Sequence, residues 1–290
     1  MKHIQELLFA RGYKRADARF AVGPRDRNSL ALLAPTGRPV TAKVFSDGAG
    51  RQIFANMQRL WRSSFGEGRQ PPGLLEPVEY IPEHELVITE LLPGRGFDDL
   101  GRWSDKVLDD VIRLLAALHE SDAAPGESRS SRAVVRSISR KVEGITTRGS
   151  PLADSVRQVM AALERTRPDD CELVPSHGHL SPRNIWVAPG RTVLTNWDRL
   201  QRAAPARDVA HFGAGAWVTM LREGKTPDWA MLGRAVAVYQ SARPVAVVEK
   251  QLRFHTAAAL IRQACRLVES GGQYAPMAPQ VVEEALRQLQ

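Results

Sequence analysis

His177-Gly178-His179-Leu180-Ser181-Pro182-Arg183-Asn184 is followed by Ile185-Trp186-Val187, the turn Ala188-Pro189-Gly190-Arg191, Val193-Leu194, then Asn196-Trp197-Asp198 and, ten residues on, Asp208. Two short apolar runs around a Pro-Gly pair predict a β-hairpin over residues 184–196, because Pro and Gly in that order favour a tight reversal. The loop 177–184, rich in polar groups, is thereby fixed at the foot of a hairpin. The chain around it reads as helix: from Asp105 to His119, Val107, Val111, Leu114, Leu115 and Leu118 fall on one stripe at helical spacing.

Further out, the N-terminal part is of a different kind. Leu30–Leu33 and Val40–Phe45 are apolar runs separated by Pro35-Thr36-Gly37, which predicts a hairpin. Ile53, Phe54, Met57, Leu60 and Trp61 recur at three- and four-residue steps and predict an amphipathic helix with Gln52, Asn56 and Arg59 outside. Leu86-Val87-Ile88 is a further strand running into Pro93-Gly94. The expected fold class is α+β, with a β-rich part carrying one helix over residues 1–92. A mainly helical part follows over 93–290 and carries the segment 176–212. Ala123 to Ser131 reads as an exposed linker.

The chain has 290 residues and is 43% hydrophobic, enough for a sizeable core without disulfides or metals. Lys2, Glu6, Arg11 and Lys14 interrupt its first residues, and no stretch is long and apolar enough for a bilayer, so a cytoplasmic protein without membrane contact is expected. Cys171 and Cys265 fit no metal-binding or redox spacing and are read as thiols in a reducing compartment. The net charge of +8, with 33 arginines against 7 lysines, favours anionic partners. No base-stacking or zinc-finger motif accompanies it, which argues against nucleic acid.

The order hairpin with Lys43, helix, strand, then loop and hairpin inside a helical part resembles the aminoglycoside phosphotransferases and related small-molecule kinases. That family carries His-Gly-Asp, four further residues and Asn, then a hairpin, Ile-Asp-Trp, and later Asp-Pro with a further Asp. The resemblance runs over about residues 20–215 and is strongest from Ser176 to Phe212; Leu115-Ala116-Ala117-Leu118-His119 also matches the segment ahead of the catalytic loop. It implies a bilobal protein-kinase-like fold with ATP and magnesium as cofactors. It also places His179 at the catalytic base, Asn184 and Asn196 at the metal ligands, and Asp198 two residues beyond. Lys43, the hinge Thr89-Glu90-Leu91-Leu92, Trp186 at the adenine floor and Thr195 fall on the nucleotide side. Gly23 to Ser29 is a faint counterpart of the glycine-rich loop.

Phosphoryl transfer is mostly positioning and charge neutralisation, with one carboxylate on the acceptor hydroxyl and another on magnesium. Here His179 and Asn196 stand at those positions, and Ala204-Pro205 replaces Asp-Pro. No acidic residue lies between Asp47 and Glu67 to hold Lys43 from the following helix. The pattern therefore reads as a degenerate member, a pseudokinase serving as a binding or regulatory component in which ATP and magnesium lack their usual ligands. One alternative is an active enzyme using His179, with an unperturbed pKa of about 6.5, as base toward a small molecule or peptide Ser/Thr hydroxyl. Another is a metal pair of His177 and His179 completed by Asp198 or His211. Arg132, Arg136 and Arg140 recur every four residues opposite Val134, Val135, Ile138 and Val142, a cationic stripe suited to an anionic small molecule or acidic peptide.

Overall fold

The structure, a computed structural model, describes residues 2–16, 28–46, 48–98, 101–146, 151–169, 172–244 and 247–290. Most of the glycine-bearing stretch beginning at Gly23, together with Asp47 and Cys171, lies outside the described residues. In chain order the first elements are α1 (Lys2–Ala10), β1 (Lys14–Arg15), β2 (Ser29–Leu33), β3 (Pro39–Val44), α2 (Ala49–Trp61), β4 (Pro77–Ile81), β5 (Leu86–Glu90) and β6 (Arg95–Gly96). They continue with α3 (Asp105–Glu120), β7 (Ser128–Arg129), α4 (Ser131–Val142), α5 (Ala153–Arg165), β8 (Val174–Ser176), β9 (Ile185–Ala188) and β10 (Arg191–Leu194). The last are β11 (Gln201–Ala203), α6 (Pro205–Arg222), α7 (Ala230–Ala242), α8 (Val247–Ser270) and α9 (Ala278–Arg287).

Two compact units emerge, each discontinuous in sequence. One comprises Met1–Gly96, Ser121–Ala124 and Trp186–Asp198; the other comprises Phe97–Glu120, Pro125–Ile185 and Arg199–Gln290. The first is built on an antiparallel sheet in the order β1-β2-β3-β5-β4. Val40 and Ala42 of β3 enter its core with Leu32, Leu86 and Ile88, and the alternation of a strand then puts Lys43 on the other face. Helix α2 starts from Gly48 at φ 73°, and its second residue, Gly50, donates its backbone N–H to Glu85 at 2.8 Å. A β-carbon at Gly50 would collide with that carboxylate and with the Glu85 carbonyl, so the close approach requires glycine.

One expectation for α2 is overturned. Asn56 is buried, not outside, because its amide oxygen accepts hydrogen bonds from Gln52 at 3.0 Å and Arg59 at 3.3 Å, which fold back over it from the exposed side. A buried amide is tolerated when it is hydrogen-bonded. The hairpin read at 184–196 forms as β9 and β10, and β9 pairs on its other edge with β6.

The second unit buries an apolar core contributed by α4, α5, α6, α8 and α9, including Ile138, Val156, Trp217, Leu260 and Val281. Ser130 caps α4 by accepting from the Ala133 N–H at 3.2 Å. The segment 123–131 is more than a linker: Ala123 and Ser131 are buried, and β7 adds a parallel strand to β11, which pairs antiparallel with β8. Pro205 sits in the first turn of α6, where its missing N–H costs nothing, and brings Asp208 into the same turn. Among the described residues no helix is long and apolar enough to cross a membrane.

Candidate functional site

The loop 177–184 belongs to the second unit and is tied down by Asp208. One carboxylate oxygen accepts from the Ser176 hydroxyl (2.9 Å), the His177 backbone N–H (2.7 Å) and His119 Nε2 (3.3 Å), and the other accepts from the Gly178 N–H (3.0 Å). His119 in turn meets the Tyr239 hydroxyl at 2.7 Å. Burial alone would raise the Asp208 pKa. The His119 hydrogen bond and the charges of His119, His177 and Arg207 outweigh it and hold the carboxyl well below the usual range. Gly178 has φ 77°, and a β-carbon there would strike the Arg199 carbonyl and the Gln201 amide, so the loop's glycine is required twice over.

His179 and Asn184 close the loop on itself, the Asn184 amide donating to the His179 carbonyl at 2.8 Å. The His179 ring is buried, with Nε2 at 2.7 Å from Arg266 Nη1 and Nδ1 at 3.4 Å from His211 Nδ1. Burial first, then the charges of Arg266, Arg199, Arg183 and His177, push its pKa down to about 2. The ring is therefore neutral near pH 7. A guanidinium can only donate, so Nε2 is the acceptor and Nδ1 carries the proton toward His211. An ordinary imidazole basicity is what the sequence suggests for His179, and burial of the ring, with Arg266 against it, lowers that basicity.

The residues that the family resemblance placed on a nucleotide side lie in the first unit. Lys43 Nζ donates to Asn196 Oδ1 at 3.3 Å and sits 5.2 Å from the Phe45 ring centroid. Asn196 is exposed and holds φ 71°, a left-handed conformation that Asn and Asp adopt more readily than other side chains. The Trp186 indole N–H donates to the Leu92 carbonyl at 3.2 Å, and Gly94 lies so close to the indole that any β-carbon there would clash with it. Glu90 is clamped by Arg191, whose Nη1 reaches both its oxygens at 3.0 Å, while Arg191 also donates to the Leu74 and Pro72 carbonyls. Thr195 is half-buried beside Asn196, and Asp198 is exposed in the short turn Trp197–Arg199.

Arg132, Arg136 and Arg140 are exposed along α4, and none has an ion-pair partner among the described residues. The metal-pair alternative loses its geometry: His179 Nε2 is held by Arg266, and among the described residues no group of three or more His, Cys, Asp or Glu is placed to hold a metal ion. Sequence reasoning missed Arg266 and Arg207. The only signal available was that His255, Arg262 and Arg266 recur at helical spacing on one stripe of α8.

The description "phosphotransferase enzyme family" belongs to a family model that matches residues 72–245, more than half of the chain. An aminoglycoside 3'-phosphotransferase of Streptomyces fradiae is 29% identical over 119 residues, covering 38% of this chain and 44% of the relative, so the match spans under half the length of that curated relative. The crystal structure of choline kinase LicA from Streptococcus pneumoniae superposes with a TM-score of 0.70 at 14% identity, covering 99% of this chain and 98% of the other. Spectinomycin phosphotransferase, solved with ADP and spectinomycin, superposes with a TM-score of 0.64 at 13% identity, covering 98% and 97%. Both structures carry the α+β protein-kinase-like fold found here, and with the family match over residues 72–245 it follows that this chain belongs to the phosphotransferase enzyme family.

Proposed function

We propose that this chain is a pseudokinase, a phosphotransferase-family fold retained as a binding or regulatory component without nucleotide-dependent phosphotransfer. The observation that carries this reading is the Lys43–Asn196 hydrogen bond. The lysine that would meet nucleotide phosphates is engaged by a neutral amide standing where a metal-holding carboxylate is expected. The residues present do not fit ATP and magnesium: a hard divalent cation prefers anionic oxygen, and Asn184 and Asn196 offer none. The Leu92 carbonyl, a hinge acceptor, is already taken by the Trp186 indole. An active enzyme with His179 as base is disfavoured by a pKa near 2 and by the Arg266 contact on Nε2.

Repair in stages tests this. Asn196→Asp keeps a residue type compatible with the left-handed backbone, and together with His179→Asp it restores the missing charge while leaving the indole in place. That double variant is expected to bind MgATP little better than the parent. Adding Trp186→Leu is expected to raise affinity at least tenfold, about 1.4 kcal/mol by calorimetry. A double variant that binds as well as the triple one would show that Trp186 blocks nothing. No gain in the triple variant would remove the charge explanation.

The partner we propose is anionic, an acidic peptide or small molecule recognised by the stripe of Arg132, Arg136 and Arg140 on α4. Reversing all three to Glu is expected to abolish binding of an acidic peptide. Each exposed change should shift stability by no more than about 0.5 kcal/mol. Retained peptide binding in a correctly folded variant would reduce the stripe to a solvated face.

A further inference from the structure

Helices α6 and α8 pack against each other, and beside the apolar core they share, the contact also buries a group of polar side chains. Arg207 and His211 lie one turn apart on α6, and His255, Arg262 and Arg266 share one stripe of α8. Arg207 is 3% exposed, Arg262 6% and His255 2%, so all three are more than nine-tenths buried. Even so, Arg207 Nε and Nη1, Arg262 Nε and both ring nitrogens of His255 have no hydrogen-bond partner among the described residues. Buried polar groups are normally satisfied, and each exception calls for an explanation.

Charge makes the case sharper. Arg129 and Arg199 act on both Arg207 and Arg262, and Arg207 and Arg266 also act on Arg262. Burial first, then this repulsion, lowers Arg207 to about 10 and Arg262 to about 9, so both remain cations at neutral pH. The one acid that offsets Arg207 is Asp208, whose oxygens already serve Ser176, His177, Gly178 and His119. Neutral His211 and His179 add no compensating charge. Water can satisfy the loose N–H groups, but only an anion can answer a buried cluster of guanidinium groups.

We propose that the α6–α8 seam is a binding site for a small oxyanion of the phosphate class, free or as the end group of an organic monoester, held by Arg207 and Arg262 with Arg266 at its edge. It is separate from the exposed stripe on α4 and does not require nucleotide. The test is thermal unfolding of the full chain in rising inorganic phosphate, against chloride at matched ionic strength, with glycerol phosphate as a second arm. Phosphate is expected to raise the midpoint saturably, as a ligand of the folded state does, and chloride is not. A larger shift with the monoester identifies an organic ligand, and a shift with inorganic phosphate alone identifies the free ion. Arg262→Met is expected to lose the phosphate-dependent shift and, without phosphate, to melt no lower than the parent, since it removes an unpaired buried charge. The Arg132/Arg136/Arg140→Glu variant is expected to keep the shift. Phosphate doing no more than chloride on the parent protein would overturn the site even if Arg262→Met failed to fold. An undiminished shift in a folded Arg262→Met would do the same.

Discussion

Asp208→Ala is expected to destabilise the protein by about 3–5 kcal/mol, a large share of a typical domain's total stability. The reason is the number of groups one carboxylate serves. Removing it strands the Ser176 hydroxyl, two backbone N–H groups and His119 in a fully buried place. Unsatisfied buried donors cost more than the net value of the bonds they lose. Chemical denaturation should show a lower midpoint, and amide exchange should show loss of protection at His177 and Gly178. A cost below about 1 kcal/mol, the range of ordinary substitutions, would mean that the loop does not depend on this anchor.

The second large effect is acid sensitivity. His179, His211 and His255 all have pKa values lowered, first by burial and then mainly by neighbouring arginines, with His179 at about 2 and His255 at about 3. In the unfolded chain each titrates near about 6.5, so below that pH the unfolded state binds protons that the folded state refuses. Stability therefore rises with pH across this window and is lost as pH falls from about 6.5 toward the folded values. Three such groups give a slope of roughly 4 kcal/mol per pH unit once the unfolded histidines are mostly charged. Unfolding midpoints measured from pH 7 down to pH 4 should drop steeply, and replacing His255 by Gln should remove about a third of the slope. A flat profile across that range would mean that these rings are protonated in the folded state.

Much of the scaffold could be read in the residues themselves. Pro35-Thr36-Gly37 and Pro189-Gly190 announced hairpins because turn chemistry is local, and the stripes of α2 and α3 announced helices because one apolar face must be buried. What escaped was set by distant partners. Asn56 looks like a surface residue until Gln52 and Arg59 close over it. Within the 123–131 segment, Ser128 and Arg129 form a short strand by pairing with β11. Positions such as His179, Lys43 and Trp186 could be named from spacing, but not what they touch. Arg266 lies 87 residues beyond His179 and Leu92 lies 94 residues before Trp186, and no local pattern joins such pairs. The loose N–H groups of Arg207 and Arg262 were hidden for the same reason.

Calorimetric titration of the unmodified protein with ATP, with and without magnesium, bears most directly on the pseudokinase reading. With Lys43 bonded to Asn196, the Trp186 indole on the Leu92 carbonyl and no anionic metal ligand at Asn184 or Asn196, no saturable heat is expected up to millimolar nucleotide and no magnesium dependence. Magnesium-dependent binding accompanied by ATP turnover, lost on His179→Ala and kept in a control variant such as Lys106→Gln at an exposed position of α3, would contradict it and establish His179 as a working base.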